Sequence, residues 1–196
     1  MILKLSNCDL EKAHTAVLKD DKYGAENTLI KKILKKYPTN TTEEIVAMKI
    51  SLIDVTNSTN LSKYKSKISL SELTASICSI QDFDKRIKNG DPTLVKKIAN
   101  QDGINLFSFA TKYCCYHNYM IYNRDDYSIY DGILKSNLKK YIDITENQIE
   151  NWRKDCDYES YHNLIGEILS NNNINIKNKR RKFDHFVWWQ NRKNPT

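Results

Sequence analysis

Two stretches decide the fold of this chain: Phe107-Ser-Phe-Ala-Thr-Lys-Tyr-Cys-Cys-Tyr-His-Asn118 and, after a loop, Tyr127-Ser-Ile-Tyr-Asp-Gly-Ile-Leu-Lys135. The first stretch predicts a largely apolar helix. The second places Asp131 where the next helix begins. Backbone N–H groups lack partners at that end of a helix, and the helix dipole favours an anion there. We therefore expect Asp131 to present a carboxylate at the positive end of a helix.

Composition points to an all-α fold. Glycine (5) and proline (3) are scarce among the 196 residues, and no segment is a convincing strand. This length suits a single helical domain over 1–196 with a substantial core. The domain can be divided into two lobes, one over about 40–140 and one formed by 1–39 plus 141–196.

Apolar spacing and capping residues predict where the helices lie. Outside the motif region of 103–141, helices are expected over about 9–18, 25–37, 41–53, 61–67, 69–80, 91–98, 145–154, 158–170 and 180–191. The helix after Thr41 and Thr42 has a broad apolar run, so we expect it to be central and to end in the polar stretch 54–60.

Charge is concentrated near the carboxyl end. The net charge is +7, and residues 177–193 alone carry +6 through Lys177, Lys179, Arg180, Arg181, Lys182, Arg192 and Lys193, against Asp184. Interleaved aromatic residues such as Trp188 and Trp189 make this pattern typical of a surface that grips and stacks on a polyanion. A solubilising basic tail is the alternative.

The amino terminus and the cysteines exclude several protein classes. No long apolar segment precedes the first acidic residues, which argues against a signal peptide or membrane span, so we expect a cytoplasmic protein. The five cysteines form no C-x-x-C pair, which argues against a disulfide framework, a zinc site or an iron–sulfur cluster. We expect no metal and no cofactor.

The Asp131 region resembles the helix-hairpin-helix DNA glycosylase superfamily. In that superfamily a Val-Asp-Thr-His-like segment opens a helix and carries the essential Asp; the corresponding run here is Ile129-Tyr-Asp-Gly132. The resemblance covers roughly 45–191 and implies a bundle of about 9–12 helices. It assigns 44–60 to the pocket helix and loop, 102–112 to the DNA-gripping hairpin with its second helix, and 129–141 to the Asp helix.

The chain departs from the family pattern in two places. The usual Gly-hydrophobic-Gly turn is reduced to Gly103-Ile-Asn105, although Asn tolerates a left-handed backbone. Members that also cleave the strand use a Lys just after the hairpin, where this chain has Phe107 or Ser108. A Schiff-base lyase is therefore disfavoured, and the cluster-binding cysteines of some members are absent.

The resemblance implies a monofunctional DNA glycosylase. A carboxylate stabilises the sugar cation that forms when a base leaves, and the base must first be flipped out of the duplex. Asp131 is the candidate catalytic residue. Candidates for the base pocket are Asn57, Asn60, Tyr127, Tyr130, Trp188 and Trp189. Candidates for DNA-backbone contacts are Gly103, Asn105, Ser108, Lys112, Lys135, Arg180, Arg181 and Lys182.

The expected partner is double-stranded DNA with a flipped base, bound by a monomer. The target is a damaged base, or a modified base such as those of phage genomes, which leaves repair and antiphage defence open. Simpler interpretations compete: Asp131 as a helix cap, the tryptophans as core residues, and the lysines as solvated faces. The same scaffold can also serve as a non-catalytic DNA-binding or lesion-sensing protein, or as a helical protein-interaction domain.

Overall fold

A computed structural model describes residues 2–192, and these form eleven α-helices. In chain order they are α1 (Asn7–Leu18), α2 (Tyr23–Lys36), α3 (Glu43–Asn57), α4 (Leu70–Cys78), α5 (Phe83–Lys88), α6 (Thr93–Ala99), α7 (Phe107–Tyr122), α8 (Gly132–Asn137), α9 (Glu146–Lys154), α10 (Tyr158–Asn171) and α11 (Lys179–Arg192). Short 3-10 turns follow α3 and α8, at Leu61–Tyr64 and Leu138–Lys140. The mostly helical architecture agrees with the all-α prediction.

Side-chain caps explain where several helices begin. Thr42 accepts from the Ile45 N–H at the start of α3, as the sequence predicted, and Ser69 forms a capping box with Glu72 at the start of α4. The helix expected from about residue 9 begins two residues earlier, at Asn7. Ser6 is the cap, and Asp9 lies within the first turn of α1.

A small β-hairpin is the one departure from all-α structure in the described residues. Strands β1 (Asn100–Gln101) and β2 (Ile104–Asn105) pair antiparallel and connect α6 to α7. Asp102 and Gly103 form the turn with φ of 40° and 80°, the left-handed values that a two-residue hairpin loop requires. Sequence reasoning missed these strands because two residues are too few to show alternation; it also missed α5.

The central helix is α7, which corrects the expectation for α3. Twelve of the sixteen residues of α7 are buried, whereas four of the fifteen in α3 are. Buried polar side chains of α7 are bonded within the core. Tyr113 donates to Asn40 Oδ1 at 2.7 Å, and Asn118 donates to the Ile87 carbonyl at 2.9 Å.

The two ends of the chain pack together through α1 and α11. The Nδ1 atoms of His14 and His185 lie 2.9 Å apart in stacked rings, and Lys182 pairs with Glu11 at 2.5 Å. The start of α11 is held by Asp125, which accepts from the N–H groups of Arg180 and Arg181. These contacts fix α11 against the segment that leads into α8. The division into two lobes stays a prediction.

Candidate functional site

A cavity of about 370 Å³ lies where α2, α3, α7, α11 and the segment before α8 meet. Its charged lining includes Lys112, Asp131 and Asp184, and its aromatic lining consists of Tyr23, Tyr116 and Trp188. Lys112 and Tyr116 are four residues apart on α7, so they share the helix face that lines the cavity. The cavity therefore combines opposite charges with flat apolar surfaces.

Asp131 occupies the position that the sequence predicted, at the start of α8. One oxygen, Oδ1, accepts from the Leu134 N–H at 2.9 Å and caps the helix. The other oxygen, Oδ2, lies 3.6 Å from Lys112 Nζ. Asp131 therefore caps the helix and also places a carboxylate at the cavity, so both interpretations from the sequence apply to it.

Lys112 lies inside the cavity wall and not on a solvated face. Only 9% of its side chain is exposed, and its amine donates to the Asn57 carbonyl at 3.2 Å. The ammonium therefore has Asp131 as its counter-charge and Asn57 as its hydrogen-bond acceptor. The Lys112–Asp131 pair thus joins α7 to the start of α8 at the cavity.

Asn57 lies at the cavity, but its side chain is already engaged. Its Oδ1 accepts from the Tyr116 hydroxyl at 2.5 Å, and its Nδ2 donates to Thr56 Oγ1 at 2.9 Å. Burial raises the pKa of Tyr116 well above its usual value, so the phenol stays protonated and donates this bond. Asn57 therefore fixes the end of α3 to α7, and its role in reading a base stays a prediction.

Asp184 is a second cavity carboxylate that sequence reasoning did not select. It pairs at 2.5 Å with Arg181, whose side chain is fully buried and also donates to the Tyr23 hydroxyl at 3.0 Å. Burial raises the pKa of Asp184 to about 6; Arg181 opposes the rise, and Asp131 adds to it. The spacing of three residues on α11 is the signal that predicts the Arg181–Asp184 pair.

Trp188 lies in the cavity lining, and its role in a base pocket stays a prediction. Its ring lies 4.6 Å from that of Tyr23, and the Arg192 guanidinium lies 4.8 Å from its centroid. Arg192 is held by an ion pair with Asp20. These contacts hold the indole in place in the cavity lining.

The other pocket candidates lie away from the cavity lining. Tyr127 is buried and donates to the Asp91 carbonyl, and Tyr130 packs edge-on against Phe107 and Tyr161. Asn60 adopts a left-handed backbone and donates to the Ser58 carbonyl. Trp189 packs against the hydrophobic core. For these four residues the core-packing or turn interpretation fits better than a pocket role.

Four of the candidates for DNA-backbone contacts lie in the hairpin or on α7 and α8, and they differ in how far protein partners already occupy them. A Cβ added at Gly103 would meet no atom within 4 Å, so the turn is open to a close partner. Asn105 instead accepts from the Phe107 N–H and donates to the Arg153 carbonyl. Ser108 lies half-buried in the first turn of α7, and Lys135 pairs with Glu150 at 2.5 Å.

Part of the expected basic surface at the carboxyl end is internal, which corrects the expectation for Arg181 and Lys182, whereas Lys177 and Arg192 are exposed. Arg181 and Lys182 are buried and paired with acids, and Arg180 donates to Ser128 and to the His162 carbonyl. Their positive charges serve internal packing, because Arg181 pairs with Asp184 on the same helix and Lys182 pairs with Glu11 of α1. Lys193 lies outside the described residues.

Two classes of feature are not found in the described part of the chain. Among residues 2–192, no three His, Cys, Asp or Glu side chains are grouped so that they could hold a metal ion. None of the helices described is long and apolar enough to cross a membrane.

Comparison with known proteins gives a family but no described activity. A protein of Haemophilus influenzae named "Uncharacterized protein" is 32% identical over 83 residues, which are 40% of this chain and 41% of that protein. The matched region thus spans about two fifths of that relative. No solved structure matches. The family HI_0787_N, described as an N-terminal domain, matches residues 9–125, more than half of the chain and including Lys112, and the chain therefore belongs to this family.

Proposed function

We propose that this protein is a DNA glycosylase of the helix-hairpin-helix type, in which the cavity receives a flipped nucleotide and Asp131 promotes cleavage of its N-glycosidic bond. The observation that carries the proposal is the Lys112–Asp131 pair, with 3.6 Å between amine and carboxylate, in the wall of a cavity that also has an aromatic side. A volume of about 370 Å³ lies at the small end of the range for ligand pockets. That size suits a single base with its sugar.

The position of Asp131 supports a hydrolytic mechanism. Its Oδ1 is held by the Leu134 N–H, which leaves Oδ2 for the pair with Lys112 in the cavity lining. A carboxylate there stabilises the sugar cation that develops as the C1′–N bond breaks, and it accepts the proton of the attacking water. The departing base takes the bonding electron pair and is then protonated.

Lys112 adds a second route to the proposal. The sequence disfavoured a lyase because Phe107 or Ser108 occupied the expected position, but neither lines the cavity, whereas Lys112 does. After Asp131 or water removes a proton from the ammonium, the amine can attack C1′ and displace the base, forming an imine with the opened sugar. We therefore include Lys112 in the proposed active site, and the experiment below decides between water and amine.

The aromatic and hairpin features support DNA as the substrate. Trp188 and Tyr23 offer a stacking wall for the base. The hairpin between α6 and α7 carries an open turn at Gly103, where backbone N–H groups can approach phosphates closely. The order of helix, hairpin, helix and capping Asp along the chain matches the order that the resemblance implies.

The test is release of bases from a panel of DNAs. The panel contains oligonucleotides with oxidised, alkylated and deaminated bases, and genomic DNA with hydroxymethylated or glucosylated cytosine. Abasic sites are counted for the unchanged protein, Asp131→Asn, Lys112→Gln and the control Lys139→Gln, which changes a lysine in an exposed pair with Glu146. We expect Asp131→Asn to lower base release by about 10²-fold to 10⁴-fold while DNA binding survives, and the control to retain full activity.

Borohydride reduction separates the two routes. If Lys112 is the nucleophile, reduction during turnover traps a covalent protein–DNA product that Lys112→Gln does not form and Lys139→Gln does. If water is the nucleophile, no product is trapped and Lys112→Gln retains base release. DNA binding without base release from any member of the panel would support the non-catalytic DNA-binding alternative and refute the enzyme.

The remaining alternative is a helical protein-interaction domain whose DNA affinity depends wholly on 177–193. The internal ion pairs of Arg181 and Lys182 weigh against it, because their charges already have protein partners. The protein-interaction alternative would be excluded if salt-dependent DNA binding is lost in Gly103 variants but survives changes in 177–193.

A further inference from the structure

A polar trough lies between α4 and the segment that leads from α6 into the β-hairpin. It consists of two adjoining depressions of about 640 Å³ and about 320 Å³, which share Ser76 of α4 and Asn100 of β1. The first depression reaches Thr93 at the start of α6, and the second reaches Asp102 in the hairpin turn. The trough is separate from the candidate site, since it shares no lining residue with the cavity that contains Asp131.

Hydroxyl and amide side chains form much of the trough lining. They are those of Ser76, Ser79, Gln81, Thr93, Asn100 and Gln101. Among the described residues, no aromatic side chain lines either depression. Proteins that grip a nucleic acid strand by its bases use aromatic side chains for stacking. The trough therefore offers hydrogen bonds but no surface on which a base can stack.

Three lysines line the trough and have no acidic partner within the described part of the chain. Lys96 and Lys97 lie in the last turn of α6, and Lys67 lies in the second depression. All three are exposed, and the ion pairs of the described residues involve other lysines and arginines. These lysines thus present to solvent the positive charge that the buried Arg181 and Lys182 do not.

The acids of the trough are confined to one end. Glu72 and Asp102 both line the second depression, and the Glu72 carboxylate accepts from the Ser69 N–H at 2.7 Å and from the Ser69 hydroxyl at 2.8 Å. Within the described residues no acid lines the first depression, where the charged side chains are those of Lys96 and Lys97. An anion is therefore attracted most strongly to the α6 end of the trough.

We propose that the trough binds the sugar–phosphate backbone of a DNA strand, next to the part of the strand that contacts the hairpin. Hydroxyl, amide and lysine side chains are groups with which proteins hold phosphates and sugars without reading the sequence. Because the trough ends at the hairpin turn, a strand that contacts Gly103 can continue past Asn100 to the lysines of α6. The proposal rests on the proposed function in one respect, that DNA is the partner. The trough itself contributes affinity and takes no part in bond cleavage.

The salt dependence of DNA affinity measures how many phosphates the lysines neutralise. The double variant Lys96→Gln with Lys97→Gln is compared with the unchanged protein. The control is Lys31→Gln with Lys32→Gln, which changes two adjacent exposed lysines of α2 that line neither the trough nor the cavity. Affinity for a fluorescently labelled duplex is measured from about 50 mM to about 200 mM salt. Because all four side chains are exposed, both variants are expected to fold, and thermal unfolding verifies it.

We expect the double variant of α6 to reduce the slope of log affinity against log salt concentration by about 2, because each neutralised phosphate contributes about 0.9. Its affinity at low salt should fall by about tenfold. Lys67→Gln, which removes one lysine from the other end of the trough, should reduce the slope by about 1. The α2 control should keep both the slope and the affinity, since its lysines lie outside the trough.

The trough and the enzyme can fail separately. If no base is released from any DNA but the α6 variant reduces the salt slope as expected, the trough is supported and the glycosylase is refuted. If bases are released and the α6 variant keeps the slope of the unchanged protein, the trough is refuted. An equal reduction in the α2 control also overturns the proposal, because it indicates attraction by net charge alone. Absence of any DNA affinity refutes both.

Discussion

Replacing Asp131 by Asn and by Ala separates the two roles of its side chain, as helix cap and as counter-charge to Lys112. Asn keeps a side-chain oxygen for the Leu134 N–H but loses the charge that faces Lys112 at 3.6 Å. Ala loses both. The two variants should therefore lower the free energy of unfolding by different amounts.

The magnitudes follow from burial and geometry. Loss of a helix cap costs about 1 kcal/mol. Removing one partner of a fully buried ion pair costs about 3–5 kcal/mol, but here the side chains are 9% and 19% exposed to a water-accessible cavity and separated by 3.6 Å. We therefore expect about 1 kcal/mol for the charge. Asp131→Asn should lose about 1 kcal/mol, and Asp131→Ala about 2 kcal/mol.

Thermal unfolding near neutral pH measures both effects. At this chain length 1 kcal/mol corresponds to about 2–4 °C in Tm, so the expected falls are about 2–4 °C for Asn and about 4–8 °C for Ala. The double variant Asp131→Asn with Lys112→Gln removes both charges. Its loss of unfolding free energy should be smaller than the sum of the losses of the two single variants. Equal Tm for Asn and Ala would refute the cap, and strict additivity would refute the charge pairing.

Further predictions concern the core, the turns and pH. Arg181→Met should lower the free energy of unfolding by about 3–5 kcal/mol in urea titrations, because it leaves the Asp184 carboxyl buried without its partner; an effect like that of a surface change would contradict the buried pair. Gly90→Ala should lower the free energy of unfolding more than Gly103→Ala in the same titrations. Both glycines have positive φ, but only a Cβ at Gly90 meets a side chain, at 2.5 Å. Equal losses of unfolding free energy would show that backbone strain alone matters. Burial lowers the pKa of His14 to about 4. Its protonation in the unfolded state should therefore reduce stability as pH falls from about 6.5 to about 4. Over this range Tm should fall less in His14→Gln, and an unchanged dependence of Tm on pH would refute this assignment. The raised pKa of Asp184 acts in the opposite direction, adding stability as pH falls through about 6.

Local signals in the sequence predicted most of the helices. Thr42 and Asp131 cap helices because a side-chain oxygen within three residues reaches the free N–H groups, and this geometry depends on neighbours in the chain alone. The β-hairpin of 100–105 and the short helix α5 escaped prediction because neither is long enough to show a period.

Burial could not be predicted for the charged residues of α11. Arg181 and Lys182 belong to a dense basic run, which composition alone indicates as a solvated or DNA-facing surface. Their partners Tyr23 and Glu11 come from helices more than 150 positions earlier in the chain. Only the packing of α1 and α2 against α11 decides that these charges point inward.

The sequence by itself determined the all-α class, most helix positions, and Asp131 as a carboxylate at the start of a helix, since these follow from periodicity and capping between near neighbours. The tertiary structure decided which groups face Asp131. Lys112, Asp184 and Trp188 come from two helices that converge on one cavity, while Tyr127 and Tyr130 turn into the core. The physical reason is that a helix fixes the direction of its own side chains, whereas the packing between helices decides which of those directions meet.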